Sequence, residues 1–125
     1  MVNRLSADVA GAAAFYERLL GLERLFTSDW FVVLGSEGVA GVELGLLDRD
    51  HETVPEAARG ADSGTVLTFV VADCEAIHAR ARDMGAEIVQ PPADTEYGQR
   101  RMLIRDPDGA IIDISAPTAP APRRA

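Results

Sequence analysis

The side chains of this sequence best suited to chemistry are one cysteine and two histidines. Cys74 follows Asp73 in the first turn of a predicted helix, where the helix dipole would lower the pKa of the thiol and the neighbouring carboxylate would oppose that effect. His78 lies beside the apolar stripe of the same helix. His51 lies in a polar segment at mid-chain, from which it would reach either solvent or the mouth of a pocket. Cys74 and His78 fit structural roles better than catalytic ones.

The overall composition excludes several classes of function. The chain has 125 residues and a formal net charge of −8, which opposes nucleic-acid binding because that function needs a basic face. No apolar run approaches the ~20 residues that cross a bilayer, and the first residues lack the basic-then-apolar pattern of a signal peptide. A single cysteine excludes an internal disulfide. We therefore expect a cytoplasmic protein that binds neither nucleic acid nor membrane.

An internal repeat organises the chain. Asp8 and Asp73 are placed as helix N-caps, and Gly21 and Gly85 are placed to end those helices in the left-handed conformation. Apolar residues recur at helical spacing between the caps, and strand-like segments flank each helix. The predicted strands are 3–7, 22–27, 30–34 and 39–47 in the first half and 65–71, 87–90, 100–105 and 110–115 in the second. The order is therefore strand, helix and three strands, twice over.

The segments outside these elements divide the chain. The first module covers residues 1–47, a polar acidic linker covers 48–63, the second module covers 64–115, and a flexible proline-rich tail covers 116–125. The turn from Asp106 to Gly109 joins the last two strands as a hairpin, because Pro107 fixes φ and Gly109 accepts a positive φ.

Two groups of residues resemble the signatures of the glyoxalase/bleomycin-resistance/extradiol-dioxygenase superfamily, also called vicinal oxygen chelate proteins. The first runs from Asp8 through Phe15-Tyr16 to Gly21, and the second comprises Tyr97-Gly98, Arg100 and the turn from Asp106 to Gly109. This resemblance covers about residues 5 to 114. It implies an α+β fold of two tandem βαβββ modules whose curved mixed sheets form a cup. It also implies a homodimer, since many dimeric members build each cavity from modules of two chains.

The resemblance also implies where the ligands of a metal ion would lie. Metal-dependent members hold the ion with His or Gln near the first strand of each half and with an acidic residue on the last strand. The corresponding positions here are Met1, Val66, Glu43 and Asp113. Because Met1 and Val66 cannot ligate a hard divalent ion, we predict no metal cofactor, with a divalent metal as the alternative. Glu43 and Asp113 would then serve as a general base or as a receptor for a cationic ligand, or each would pair with an arginine.

Strand alternation predicts which side chains face the cavity. If Glu43 faces it, so does Leu47, and if Val66 faces it, so does Thr68. In the first strand the same rule points Arg4 and Ser6 at the helix and Leu5 at the cavity, although a shift of one residue would reverse that strand.

Three further residues are predicted through the resemblance. Trp30 would be a stacking platform for a planar ligand and Tyr97 would lie at the cavity mouth; the alternative for each is an ordinary core, rim or loop aromatic. Arg100 would neutralise Glu43 or Asp113 or contact an anionic ligand, and the alternative is a surface charge.

These patterns favour metal-independent sequestration of a hydrophobic or aromatic small molecule, of the kind found in antibiotic resistance. The alternative is a glyoxalase-like or dioxygenase-like lyase, isomerase or oxygenase that uses a metal ion or takes Glu43 or Asp113 as general base. Both alternatives stay open at this point. The predicted ligand-binding residues are Trp30, Glu43, Leu47, Thr68, Tyr97, Arg100 and Asp113.

Overall fold

The structure, a computed structural model, describes residues 1–36, 43–56, 65–96 and 98–118. The chain forms two compact units, Met1–Ser63 and Gly64–Ala125. Unit 1 contains β1 (Val2–Ser6), α1 (Val9–Leu20), β2 (Glu23–Thr27), β3 (Phe31–Gly35) and β4 (Glu43–Asp48). Unit 2 contains β5 (Val66–Val70), α2 (Cys74–Asp83), β6 (Ile88–Asp94), β7 (Gln99–Arg105) and β8 (Ile111–Pro117). No helix among the described residues is long and apolar enough to cross a membrane.

Unit 1 is a four-stranded mixed sheet in the order β1-β4-β3-β2 with α1 on one face. Strands β1 and β4 are parallel, and β3 is antiparallel to both of its neighbours. The face towards α1 is apolar and buried, because alternate residues of β3 and β4 point to it. Its sheet residues are Val32, Leu34, Leu44 and Leu46, and the buried helix residues are Val9, Ala12, Ala13, Tyr16 and Leu19.

Unit 2 repeats this arrangement in the order β5-β8-β7-β6, with α2 packed on β6, β7 and β8. Met102, Ile104, Ile112 and Ile114 are fully buried on the face towards α2, opposite Cys74, Ile77 and Ala81 of the helix. Two mixed sheets with two helices confirm the predicted α+β fold class. Each sheet is open, with edge strands that do not meet, and the predicted cup between the halves stays a prediction.

The predicted helix caps are confirmed. Asp8 accepts a hydrogen bond from the backbone N–H of Gly11, and Asp73 accepts from those of Glu75 and Ala76. Each carboxylate satisfies donors that the first helical turn leaves unpaired. Gly21 and Gly85 have φ of 68° and 69°, which is the left-handed conformation that an L side chain disfavours. Local sequence therefore determined where both helices begin and end.

The hairpin of unit 2 follows the predicted turn. Asp106 Oδ1 accepts from the backbone N–H groups of Asp108 and Ala110 at 2.9 and 2.8 Å, and Gly109 has φ of 87°. Most strand limits differ from the prediction by one residue, the predicted strand residues 39–42 lie outside the described residues, and two strands extend further than predicted. The edge strand β6 continues through Pro91 and Pro92 to Asp94, because an edge strand does not need every N–H for pairing. Strand β8 continues to Pro117, so residues 116 and 117 belong to the sheet and not to the tail.

Candidate functional site

Each sheet has one face that carries no helix, which we call the open face of that unit. In unit 1 the register places Leu5, Leu47 and Phe31 in one row across β1, β4 and β3. The next row contains Asn3, Gly45 and Val33, and Val33 pairs with Phe26 of β2. Arg4 and Ser6 are buried on the other face, as alternation predicted, so the register of the first strand is confirmed.

The open face of unit 1 carries connected aromatic rings. The ring centroids of Phe26 and Phe31 are 5.9 Å apart, and those of Phe31 and Trp30 are 5.8 Å apart. A Cβ at Gly45 would overlap the Asn3 side chain and touch the Phe31 ring, so only glycine lets that ring lie close to the sheet. Phe26 is 51% exposed although it is a large apolar side chain. Leu47 is half-buried in this surface, in agreement with its predicted direction.

His51 stacks directly on Trp30. The two ring centroids are 3.7 Å apart and the planes differ by 7°. The backbone N–H of Thr53 donates to His51 Nδ1 at 3.2 Å, and Thr53 Oγ1 lies 2.8 Å from the same nitrogen. The segment is held by a bond from the Val54 N–H to the His51 carbonyl and by burial of the Val54 side chain. We call Phe26, Trp30, Phe31 and His51 the aromatic cluster.

The sequence does not predict this stack. His51 lies in a polar linker there, with solvent as one alternative and a pocket mouth as the other. The signal was Val54, an apolar residue within this polar segment whose side chain is buried. Trp30 itself is half-buried, and one side of its ring is occupied by the imidazole.

The open face of unit 2 carries a polar cluster around Asp113. Its carboxylate is 8% exposed. Thr68 Oγ1 donates to Oδ2 at 3.1 Å, and Ser115 Oγ donates to Oδ1 at 2.8 Å. Arg101 Nε lies 3.2 Å from Oδ1 in an ion pair whose N–H is not directed at the oxygen. We call Thr68, Arg101, Asp113 and Ser115 the Asp113 cluster.

Arg100 is not the arginine that neutralises Asp113. It pairs with Glu75 of α2 and with Asp94, the latter at 3.0 Å, and these bonds raise the pKa of the Arg100 guanidinium. The residue lies opposite Ala116, on the helix side of the sheet, whereas Arg101 lies opposite Ser115 on the open face. A change of one residue along a strand reverses the face, which is why the prediction chose the wrong neighbour.

Glu43 and Asp113 do not hold equivalent positions in the two sheets. Asp113 pairs with Thr68, whereas Glu43 pairs with Gly35 at the start of β4. Asn3 and Thr68 are separated by the same 65 positions as Asp8 and Asp73, and the partner of Asn3 on β4 is Gly45. The register therefore aligns Asp113 with Gly45 and corrects the expected correspondence with Glu43. Glu43 is exposed and forms no hydrogen bond or ion pair with any residue that the structure describes.

The residues present do not fit a metal ion. Within the described ranges, no three His, Cys, Asp or Glu side chains converge as a ligand set. Val66 is aliphatic, and the cross-strand neighbour of Asp113 is Thr68, whose hydroxyl donates to the carboxylate. Asp113 therefore directs both oxygens at internal donors and already has a cation beside it in Arg101.

Tyr97, predicted at the cavity mouth, lies outside the described residues. Cys74 is buried, and its thiol donates to the Ile114 carbonyl at 3.7 Å. Burial raises the pKa of this thiol, and the nearby Glu75 carboxylate adds to that effect, so the lowering expected from the helix dipole does not prevail. The thiol has the environment of a structural side chain.

Comparison with known proteins gives a consistent result. The model of the Glyoxalase/Bleomycin resistance protein/Dioxygenase superfamily matches residues 2–114. A comparison with curated protein sequences finds no match. TioX from Micromonospora sp. ML1 superposes with a TM-score of 0.76 at 21% identity, covering 93% of this chain and 96% of that one. Lactoylglutathione lyase from Agrobacterium tumefaciens superposes with a TM-score of 0.72 at 20% identity, covering 93% and 91%. At these identities the solved structures show the fold alone.

Proposed function

The chain belongs to the Glyoxalase/Bleomycin resistance protein/Dioxygenase superfamily, and on that premise we propose that it binds a planar, largely apolar small molecule without a metal ion. The observation that carries the proposal is the aromatic cluster on unit 1. Its rings are connected through centroid distances of 5.9, 5.8 and 3.7 Å, and they lie beside an apolar sheet face that α1 does not cover. Sites for small molecules are commonly lined by such surfaces with a few polar groups.

The exposure of Phe26 supports a binding role for this face. A phenylalanine that is 51% exposed leaves apolar area in water, which a core residue would not do. Its neighbours Phe31 and Leu47 are only half-buried. A flat ligand that covers these side chains would remove their apolar area from water at about 25 cal/mol per Å². Offset or edge-to-face ring contacts add about 0.5–1.5 kcal/mol each.

The Trp30–His51 stack defines how a planar ligand would bind. The imidazole lies 3.7 Å from the indole with the planes 7° apart, so it covers one face of the Trp30 ring. A ligand ring would therefore either extend this stack as a further layer or take the place of His51. In both cases the environment of Trp30 changes on binding, and since Trp30 is the only tryptophan, its fluorescence reports the event.

Independence from metal is the second part of the proposal. Thr68 and Ser115 donate to the two oxygens of Asp113 and Arg101 balances its charge, so a divalent ion would have to compete with these internal partners. These contacts also disfavour Asp113 as general base, because a substrate proton would compete with the Thr68 and Ser115 hydroxyls and with the charge of Arg101 for the carboxylate. Sequestration of a drug-like molecule is thus favoured over lyase, isomerase or oxygenase chemistry.

Titration with 2-naphthol tests the proposal, and the nonplanar decahydro-2-naphthol is the matched ligand control. We expect 2-naphthol to change Trp30 emission and to raise the melting temperature equally with and without EDTA. Phe26→Ala should weaken binding about tenfold, which corresponds to about 1.4 kcal/mol. Val2→Ala is the matched protein control, since Val2 is also 51% exposed but pairs with Leu44 and so belongs to the helix side of the same sheet.

Two results would overturn the proposal. One is equal binding of the planar and the nonplanar ligand, or no binding of either, by calorimetry. The other is a stoichiometric divalent metal in the purified protein whose removal by EDTA abolishes binding. A homodimer and a role in antibiotic resistance belong to the same proposal; light scattering and growth of drug-sensitive cells that express the chain test them.

A further inference from the structure

Arg101 differs from the other arginines of β7 in what its guanidinium contacts. Arg100 forms ion pairs with Glu75 and Asp94. Arg105 forms an ion pair with Glu87 at 2.7 Å and donates a hydrogen bond to the Gly109 carbonyl at 3.0 Å. Among the described residues, Arg101 forms an ion pair with Asp113 alone, through Nε. Its two terminal nitrogens form no hydrogen bond or ion pair with any residue in the described part of the chain.

The buried Asp113 carboxylate fixes the position of the Arg101 guanidinium. Asp113 is 92% buried, and the hydroxyls of Thr68 and Ser115 hold its two oxygens. The carboxylate therefore cannot follow a mobile arginine into solvent, and the arginine must come to it. The Arg101 side chain is 31% exposed, which places its free end at the surface of the open face. Since a guanidinium has five N–H donors, contact through Nε leaves four on the terminal nitrogens.

The surroundings of Arg101 are apolar on one side and polar on the other. The register places Val70, Ser115 and Arg101 in one row across β5, β8 and β7. Val70 is 72% exposed. At a strand spacing of about 4.8 Å, its backbone lies roughly 10 Å from that of Arg101. Gln99 lies on the same face, and its amide oxygen is shielded from water and accepts no hydrogen bond from the residues described.

We propose that Arg101 and its support by Asp113 form a carboxylate-binding site on the open face of unit 2. The two terminal nitrogens donate in parallel to the two oxygens of a ligand carboxylate, the bidentate geometry in which arginine is strongest. The exposed Val70 side chain receives the apolar body of the ligand, about one aromatic ring across. The ligand class is a small aromatic or aliphatic carboxylic acid, and this site does not depend on the aromatic cluster of unit 1.

The internal ion pair sets the specificity of this site. Asp113 already balances the charge of Arg101, so binding depends on the direction of the free donors more than on net charge. Inorganic phosphate, which lacks an apolar body, should therefore bind more weakly than benzoate. Lysine at this position would keep the charge and lose the paired donors.

The test is a titration of ¹⁵N-labelled protein with benzoate, with benzamide as the uncharged ligand of the same shape. We expect benzoate to shift the Nε–Hε resonance of Arg101, and benzamide to bind at least tenfold more weakly. Arg101→Gln and Arg101→Lys should each weaken benzoate binding tenfold or more. Arg105→Gln is the matched control because Arg105 shares this face and has its guanidinium occupied; its affinity should stay within twofold of the wild type.

The outcomes separate this site from the aromatic cluster. Equal affinity for benzoate and benzamide, or unchanged benzoate binding by Arg101→Lys, would refute the proposal even if Arg101→Gln failed to fold. Binding of 2-naphthol should be the same in Arg101→Lys as in the wild type. Binding of 2-naphthol without binding of benzoate would support the proposed function and refute the carboxylate site. Binding of benzoate without binding of 2-naphthol would support the carboxylate site and refute the proposed function.

Discussion

Replacing Asp113 by alanine tests the buried polar arrangement around this carboxylate in unit 2. The change removes the acceptor of the Ser115 and Thr68 hydroxyls and the counter-charge of Arg101. Ser115 is buried, so its hydroxyl would be left without an acceptor. Thr68 is exposed and would turn to water, and Arg101 is partly reached by solvent. The cost therefore comes mainly from Ser115 and from the loss of the partly buried ion pair.

These terms give an estimate of the destabilisation. A buried donor without a partner costs about 1–3 kcal/mol, and a partly exposed ion pair contributes up to about 1 kcal/mol. The sum is about 1–4 kcal/mol, with a middle value of about 2.5 kcal/mol. For a domain of this size it should lower the melting temperature by roughly 10 °C. Thermal and urea unfolding, monitored by circular dichroism, measure both quantities.

Glu43→Ala is the control for this prediction. Glu43 is an exposed carboxylate without a partner among the described residues, so its removal should change the free energy of unfolding by less than about 0.5 kcal/mol. Adding Arg101→Met to Asp113→Ala should recover about 1 kcal/mol, because the unpaired guanidinium is removed. The reasoning is refuted if Asp113→Ala costs no more than Glu43→Ala.

Two further predictions concern the aromatic cluster and the cysteine. His51→Ala should shift Trp30 emission to longer wavelength and lower the free energy of unfolding by about 1 kcal/mol, since one side of the indole becomes open to water. His78→Ala, the control, should leave the emission unchanged. Equal emission spectra for the wild type and both variants would contradict the stack. Burial raises the pKa of Cys74, so the thiol should react far more slowly with iodoacetamide at pH 8 than in urea. Because the folded state holds this proton more tightly than the unfolded state, Cys74 should contribute less stability as pH rises above the unfolded thiol pKa; Cys74→Ser should remove that part of the pH dependence.

The sequence alone determined the elements and their limits. Asp8, Asp73, Gly21 and Gly85 act through bonds and dihedral angles within a few residues, and such local effects can be read from the chain without knowing the fold. The alternation of β4 and β8 similarly assigned residues to the two faces of each sheet, because that period follows from strand geometry. The family signatures extended this to the α+β fold class.

The tertiary structure alone decided which side chains meet across the strands. Arg101, and not Arg100, reaches Asp113 because the pairing of β7 with β8 fixes the face of each residue. The pairing of β1 with β4 aligned Asp113 with Gly45, which spacing along the chain had not revealed. The Trp30–His51 stack joins residues that are 21 positions apart through a segment with no repeating pattern. Such contacts depend on the register between strands and on the course of the loops that connect them, and composition and periodicity predict neither.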